Sequence, residues 1–277
     1  MSTVQALLVA AGRRLAAAGI EAGDARALLA HVLAVPRDRL ILMGPDDVTP
    51  EVAARFETAL QARLDHRPVS KITGRRLFWG REFQVTDDVL DPRPETESLI
   101  AEALAGPVPK RFLDLGAGTG CIPLTLLAEW PEAQAVAVDV SDAALNVTRQ
   151  NAEALGVNAR LKLQLSDWFD AVEGHFDLIT SNPPYISDAE MQELSPEVFH
   201  HDPHLALTPG GDGLAPYSVL ANGAMAHLCD GGRILVEIGW KQGVAVAAIF
   251  QDAGLRDVKV LPDMDGRDRV VSGHKPA

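Results

Sequence analysis

Asn182-Pro183-Pro184-Tyr185 is the sharpest chemical element in this sequence of 277 residues. Neither proline can donate a backbone hydrogen bond, and both rings stiffen the chain. The proline after Asn182 also pushes that residue out of helical space. The carbonyl of Pro183 and the side-chain oxygen of Asn182 can therefore point outward together. Two rigid acceptors suit an –NH2 group on a planar system, and Tyr185 can cover the flat face of that system. The tetrapeptide thus points to chemistry on an amino or amide nitrogen. Asn182, Pro183 and Tyr185 are the catalytic candidates, and Pro184 joins them in contacting substrate. A plain Pro-rich turn is the bland alternative. The position directly after the apolar run Phe176–Thr180 argues against it.

Three further elements suit a nucleoside. Gly116-Ala117-Gly118-Thr119-Gly120 follows the run Arg111–Leu115 and precedes an apolar helical stretch. Glycines there let a ligand approach the backbone closely. A dinucleotide fingerprint would need glycine at position 121, where Cys121 stands. The alternating form instead resembles the S-adenosylmethionine loop of Rossmann-like methyltransferases. Asp139 lies about 20 residues further on, the distance at which an acidic residue can accept from both ribose hydroxyls. Helix capping, its other reading, is already served by Ser141 or Asp142. Ser166-Asp167-Trp168 closes a third apolar run, where Asp167 can accept from an adenine amino group and Trp168 can pack on the ring. Asn182 is a candidate cofactor contact as well as a substrate contact.

The elements that must position these residues alternate. Apolar runs Arg111–Leu115, Ala135–Val138, Leu161–Leu165, Phe176–Thr180 and Arg233–Ile238 are separated by helix-like stretches. That alternation implies an α/β fold with a mainly parallel, doubly wound sheet, and ligands of such sheets gather at the carboxyl ends of the strands. Asp257–Leu261 and Arg269–Ser272 suit a closing pair of strands. Residues 1–66 read as a small α-helical bundle. Val4, Leu7, Leu8, Ala11 and Leu15 recur at helical spacing with Gly19 at the stop, Asp24–Leu33 gives a second helix, and Thr49-Pro50 opens a third. Residues 67–94 read as a linker with a β-hairpin, and 95–277 as the catalytic domain.

Composition narrows the classes. A hydrophobic content of 47% and a charged content of 23% are ordinary for a globular chain. The net charge of −13 argues against a duplex-binding protein, which needs a basic face. Two cysteines, Cys121 and Cys229, are too few for a disulfide framework, and Cys121 reads as packing. No run approaches the roughly 20 apolar residues of a membrane span, so the expected location is the cytoplasm. His200, His201 and His204 match no standard zinc spacing, so no metal is expected.

Taken together and in this order, the motifs resemble the HemK/PrmC family, the glutamine N5-methyltransferases of peptide chain release factors. The resemblance spans nearly the whole chain, including Ile72-Thr73-Gly74, Phe78-Trp79-Gly80, Pro92-Arg93-Pro94-Glu95-Thr96-Glu97 and Gly211-Asp212-Gly213-Leu214. Lys71 and Asp91 depart from the family pattern. The resemblance implies a seven-stranded Rossmann-like domain behind a helical substrate-recognition domain. It implies S-adenosyl-L-methionine as cofactor, with S-adenosyl-L-homocysteine as product. The substrate would be the Gly-Gly-Gln glutamine of class 1 release factors, with an effect on translation termination. A monomer without membrane or direct nucleic-acid contact is expected. Alternatives are a glutamine of a ribosomal protein, an adenine-N6 or guanine-N2 methyltransferase, and a binding module without turnover.

Overall fold

The computed structural model describes residues 2–277 and divides into two compact units. The first holds the described residues up to Arg75 together with Ser195–His201. Its helices are Val4–Ala17, Asp24–Leu33, Pro50–Leu64 and Val69–Thr73. Thr3 and Thr49 cap two of them, accepting from the backbone N–H groups of Ala6 and Val52 at 3.2 and 3.4 Å. The stripes close on one core in which Leu15, Leu28, Leu29, Phe56 and Leu60 are buried. Arg63 is buried in the same unit and pairs with both Asp24 at 2.7 Å and Glu197 at 3.0 Å. Glu197 belongs to the short helix Pro196–His201, which is how that distant segment joins this unit.

The second unit is built on a seven-stranded sheet: β1 Arg111–Leu115, β2 Gln134–Asp139, β3 Leu161–Leu165, β4 Phe176–Ser181, β5 Leu228–Glu237, β6 Arg256–Pro262 and β7 Asp268–His274. The order across the sheet is β6-β7-β5-β4-β1-β2-β3. The five strands from β5 to β3 run parallel, and β7 is antiparallel to both β5 and β6. The α/β fold expected from the alternation is the fold found. The order reverses at β1, so a cleft opens beyond the carboxyl ends of β1, β2 and β4. There the sheet carries the glycine loop, Asp139 and the Asn-Pro-Pro-Tyr turn.

Two differences from the sequence pattern have local causes. β5 begins at Leu228, five residues before the expected Arg233, because the ladder steps across a bulge: Phe176 pairs with Leu228 and Leu178 with Arg233. The bulge holds Gly231 and Gly232, poor strand formers that hide the continuation. Residues 76–94, read as part of a linker, pack into the second unit. The hairpin strands Arg75–Phe78 and Arg81–Gln84 place Phe78 and Phe83 edge to face at 6.0 Å in the core that holds Phe112 and Trp130. Full burial of each such ring contributes about 1.5–3 kcal/mol. Val85 and Val89 then pack on Ala144 and Val147.

Candidate active site

The glycine loop leaves β1 with its backbone pinned from three directions. Gly116 and Ala117 both donate to the Val138 carbonyl of β2 at 2.9 Å. Gly118 donates to Asp139 Oδ2 at 2.9 Å, and Ser141 donates to Asp139 Oδ1 at 2.9 Å. From the helix Asp142–Ala154, the Thr148 hydroxyl donates to the Gly118 carbonyl at 2.9 Å and the Asn151 amide donates to the Thr119 carbonyl at 2.9 Å. The three glycines differ in what they require. Gly118 has φ +56 with nothing within 4 Å of where a Cβ would stand, so its face is open to a ligand. A Cβ on Gly120 would meet Leu124 and Thr148 at 2.8 Å, so that glycine is needed for helix packing.

Asp139 is not the helix cap, since Ser141 accepts from the Ala144 N–H in that role. Each of its oxygens holds one backbone N–H and keeps lone-pair capacity for another donor. Burial pushes its carboxyl above the usual carboxylate range, against the pull of those N–H groups. At the end of β3, Ser166 accepts from the Ala171 N–H at 3.0 Å and donates to the Trp168 carbonyl at 3.0 Å. This small turn holds Trp168 in left-handed backbone, φ 46, with Asp167 exposed beside it. Burial pushes the Cys121 thiol up to about 12, so it stays protonated where it borders the cavity.

The Asn182–Tyr185 turn is held by residues far away in sequence. Asn182 Nδ2 donates to Thr96 Oγ1 at 3.3 Å, and the Thr96 hydroxyl donates to Glu237 Oε2 at 2.6 Å. The Tyr185 hydroxyl donates to the other oxygen, Glu237 Oε1, at 3.3 Å. Gln242 Nε2 donates to the Tyr185 carbonyl at 3.0 Å, while Gln242 Oε1 accepts from Gly239 N–H at 2.9 Å. A Cβ on Gly213 would fall 2.2 Å from the Tyr185 carbonyl oxygen, so the chain can pass the turn there only as glycine.

These pieces frame one cavity of about 360 Å³. Gly116, Ala117, Gly118, Thr119, Asp139, Asp167, Trp168, Asn182 and Pro184 line it. Gly120, Pro183 and Tyr185 do not: Gly120 turns into the helix, Pro183 is buried, and Tyr185 directs its hydroxyl at Glu237. Asp88, Asp91, Asp139 and Asp167 contribute four carboxylates to the wall against the one guanidinium of Arg93, so the space favours a cationic ligand. Pro203, Leu205 and Ala206 form another side, and Arg93 ties that segment down by pairing with the Asp202 carboxylate at 2.5 Å. Among the described residues no cluster of His, Cys, Asp and Glu could hold a metal ion.

Motif reasoning assigns no role to Glu237, Thr148, Asn151 or Gln242, and it notes Thr96 only as part of the Pro92–Glu97 segment. Weak signals were present. Glu237 is a lone charge inside the apolar run Ile234–Ile238, and Thr148 and Asn151 are polar residues three apart on one helical face.

Two family models match the chain: the PrmC N-terminal domain over residues 6–74 and the methyltransferase small domain over residues 93–215. A release factor glutamine methyltransferase of Cereibacter sphaeroides is 60% identical, covering 98% of this chain and 98% of that protein. One from Rhodospirillum rubrum is 41% identical over 95% of this chain and 82% of its own length. Among solved structures, a methyltransferase from Pyrococcus furiosus is similar in fold, with a TM-score of 0.55 at 19% identity. It covers 78% of this chain and 98% of that one.

Proposed function

The chain belongs to the release factor glutamine methyltransferase family, and from that premise we propose that it methylates the side-chain amide nitrogen of the Gly-Gly-Gln glutamine in class 1 peptide chain release factors, with S-adenosylmethionine as donor. The observation that carries this reading is the orientation of Asn182. Its Nδ2 is committed to Thr96, which leaves Oδ1 as an acceptor at the wall of the cavity. An acceptor beside a proline-stiffened backbone suits the –NH2 of an amide.

The residues present fit the donor. The open face at Gly118 admits close backbone approach, Asp139 retains acceptor capacity for ribose hydroxyls, and Trp168 with Asp167 offers a surface and an acceptor for adenine. The excess of carboxylates complements a sulfonium and an α-ammonium. When bound, S-adenosylmethionine supplies a methyl group made electrophilic by the positive sulfur.

The chain's own contribution is alignment. An amide nitrogen is a poor nucleophile, so holding it in line with the methyl carbon can supply roughly 7–11 kcal/mol of barrier reduction. Asn182 Oδ1, at the cavity wall, accepts from the –NH2, polarises it and offsets the charge that develops on attack, while buried Pro183 stiffens the backbone behind it. No strong base is needed, because the nitrogen becomes acidic once methylated and its proton passes to solvent. Tyr185 restricts the turn from behind. The first unit, with no chemical constellation of its own, serves to recognise the body of the protein substrate, since one glutamine offers too few contacts for specificity. The reaction belongs in the cytoplasm, where release factors act.

The test is labelled methyl transfer to a purified release factor, run beside ribosomal protein, RNA and DNA. Label confined to the release factor, and lost when its Gly-Gly-Gln glutamine is replaced, is the expected result. Label on nucleic acid, or on the glutamine-replaced factor, would refute the reading.

A further inference from the structure

Glu237 ends β5 in the middle of the sheet and is only 1% exposed. A carboxylate so placed is costly unless each oxygen is matched by a donor. Its two oxygens are matched by different parts of the site: Thr96 on one side and Tyr185 on the other. An ionised carboxylate can only accept. Thr96 must therefore give its proton to Glu237 and is left with lone pairs. Asn182 must then turn its –NH2 toward Thr96 and its oxygen away. The same carboxylate fixes the Tyr185 hydroxyl, so one buried charge sets both ends of the Asn-Pro-Pro-Tyr turn.

We propose that Glu237 is a positioning residue for methyl transfer, acting through Thr96 to hold Asn182 with its oxygen toward the substrate amide. This rests on the reading of Asn182 as the substrate acceptor. A protonated Glu237 would become a donor at one oxygen. Thr96 could then reverse its hydroxyl toward Asn182, and the amide could flip, presenting an –NH2 to an –NH2.

The groups facing Glu237 make that proton available near neutrality. Burial raises its pKa, Glu95 adds to the rise, and Arg269 on β7 opposes it together with the Thr96 and Tyr185 hydroxyls; the result lies at about 7. Tyr217 packs on the same side, its hydroxyl donating to the Glu237 backbone carbonyl at 3.0 Å, and the Cys121 thiol feels the same charge. Tyr185 and Tyr217 both stay neutral, their pKa values raised by burial. Arg93 acts on Tyr185, and Asp263 holds Arg269 at 3.3 Å. Since the ionised form holds the productive orientation, the saturated rate should rise with pH through about 7 and fall below it.

The experiment compares wild type with Glu237→Gln, Thr96→Val and Thr96→Ser in methyl transfer to release factor across pH. For Glu237→Gln, whose amide removes the charge and must donate at one of the two positions where the carboxylate accepted, kcat should fall by about tenfold or more. S-adenosylmethionine affinity should stay within about threefold of wild type, and the acid limb should disappear. Thr96→Val should lose as much as Glu237→Gln, Thr96→Ser should recover most of it, and the double variant should be no worse than either single one. A Glu237→Gln enzyme with wild-type kcat and an intact acid limb would overturn the proposal. So would kcat and cofactor affinity falling together, which marks a merely structural role. Should Glu237→Gln fail to fold, the Thr96→Val and Thr96→Ser pair decides: equal activities overturn the proposal, and loss with recovery supports it. A wild-type enzyme that leaves the release-factor glutamine unmethylated would instead refute the underlying function. Active wild type with unaltered variants refutes Glu237 alone.

Discussion

The glycine loop and the Asn-Pro-Pro-Tyr turn sit at neighbouring strand ends, yet they are held in opposite ways. The loop is fixed by nearby chain: the Val138 carbonyl, Asp139, Thr148 and Asn151 all lie within the next 36 residues, and every bond has a backbone group of the loop as one partner. The turn is fixed from 86 residues before it and 52 after it, through Thr96 and Glu237, and at its centre is a buried charge. A loop that cradles a constant ligand needs shape. A turn that must offer an acceptor to an –NH2 needs a defined amide orientation as well, and a buried carboxylate supplies it because it has no donor form at high pH.

If the two regions divide the work this way, damage to each should separate cleanly. Asn182→Ala should reduce transfer by roughly 100-fold or more, the scale seen when one preorganised hydrogen-bonding group is removed from an active site. S-adenosylmethionine affinity, measured by calorimetry on the same preparation, should change by less than about tenfold. Near-normal transfer would break the comparison at its strongest point. Asp139→Ala should do the reverse. Losing the proposed bonds to ribose, and the hold of Asp139 on Gly118 and Ser141, should weaken cofactor binding by about 1.5–3 kcal/mol while leaving kcat at saturation nearly unchanged.

Gly213→Ala sharpens the contrast, because it touches no ligand. A methyl group 2.2 Å from the Tyr185 carbonyl must displace the turn, at a cost of about 1–3 kcal/mol. Transfer should fall with little loss of cofactor affinity, and a parallel fall in both would show that the turn and the loop move as one body. The smallest effect belongs to Thr148→Val. It removes one hydrogen bond to the Gly118 carbonyl, worth about 1 kcal/mol, and should appear as a modest loss of cofactor affinity in the same titration.

The legibility of the molecule follows the same division. The strands could be read because each is a short apolar run bounded by turn residues, and their alternation with helices implied a mainly parallel sheet; the order of its strands is a tertiary fact. Where Gly231 and Gly232 interrupt β5 the run was cut short, since pairing with β4 across a bulge is a tertiary fact. The glycine loop, Asp139 and the Asn-Pro-Pro-Tyr turn are contiguous motifs and were visible as such. Thr96 and Glu237 lie 141 residues apart, and no local pattern joins a threonine in a Pro-rich turn to a carboxylate in a strand. The hairpin at Arg75–Gln84 was visible as a hairpin, but its Gly and Pro punctuation concealed that Phe78 and Phe83 are core residues.

The central claim is chemical: the methyl group goes to the amide nitrogen of a glutamine. The most direct test uses carbon-labelled methyl S-adenosylmethionine and a release factor carrying nitrogen-labelled glutamine side chains, followed by nuclear magnetic resonance of the product. One methyl signal, coupled through a single bond to a side-chain amide nitrogen and assigned to the Gly-Gly-Gln glutamine, is the predicted result. A methyl signal without nitrogen coupling, or one assigned to any other residue, would contradict it.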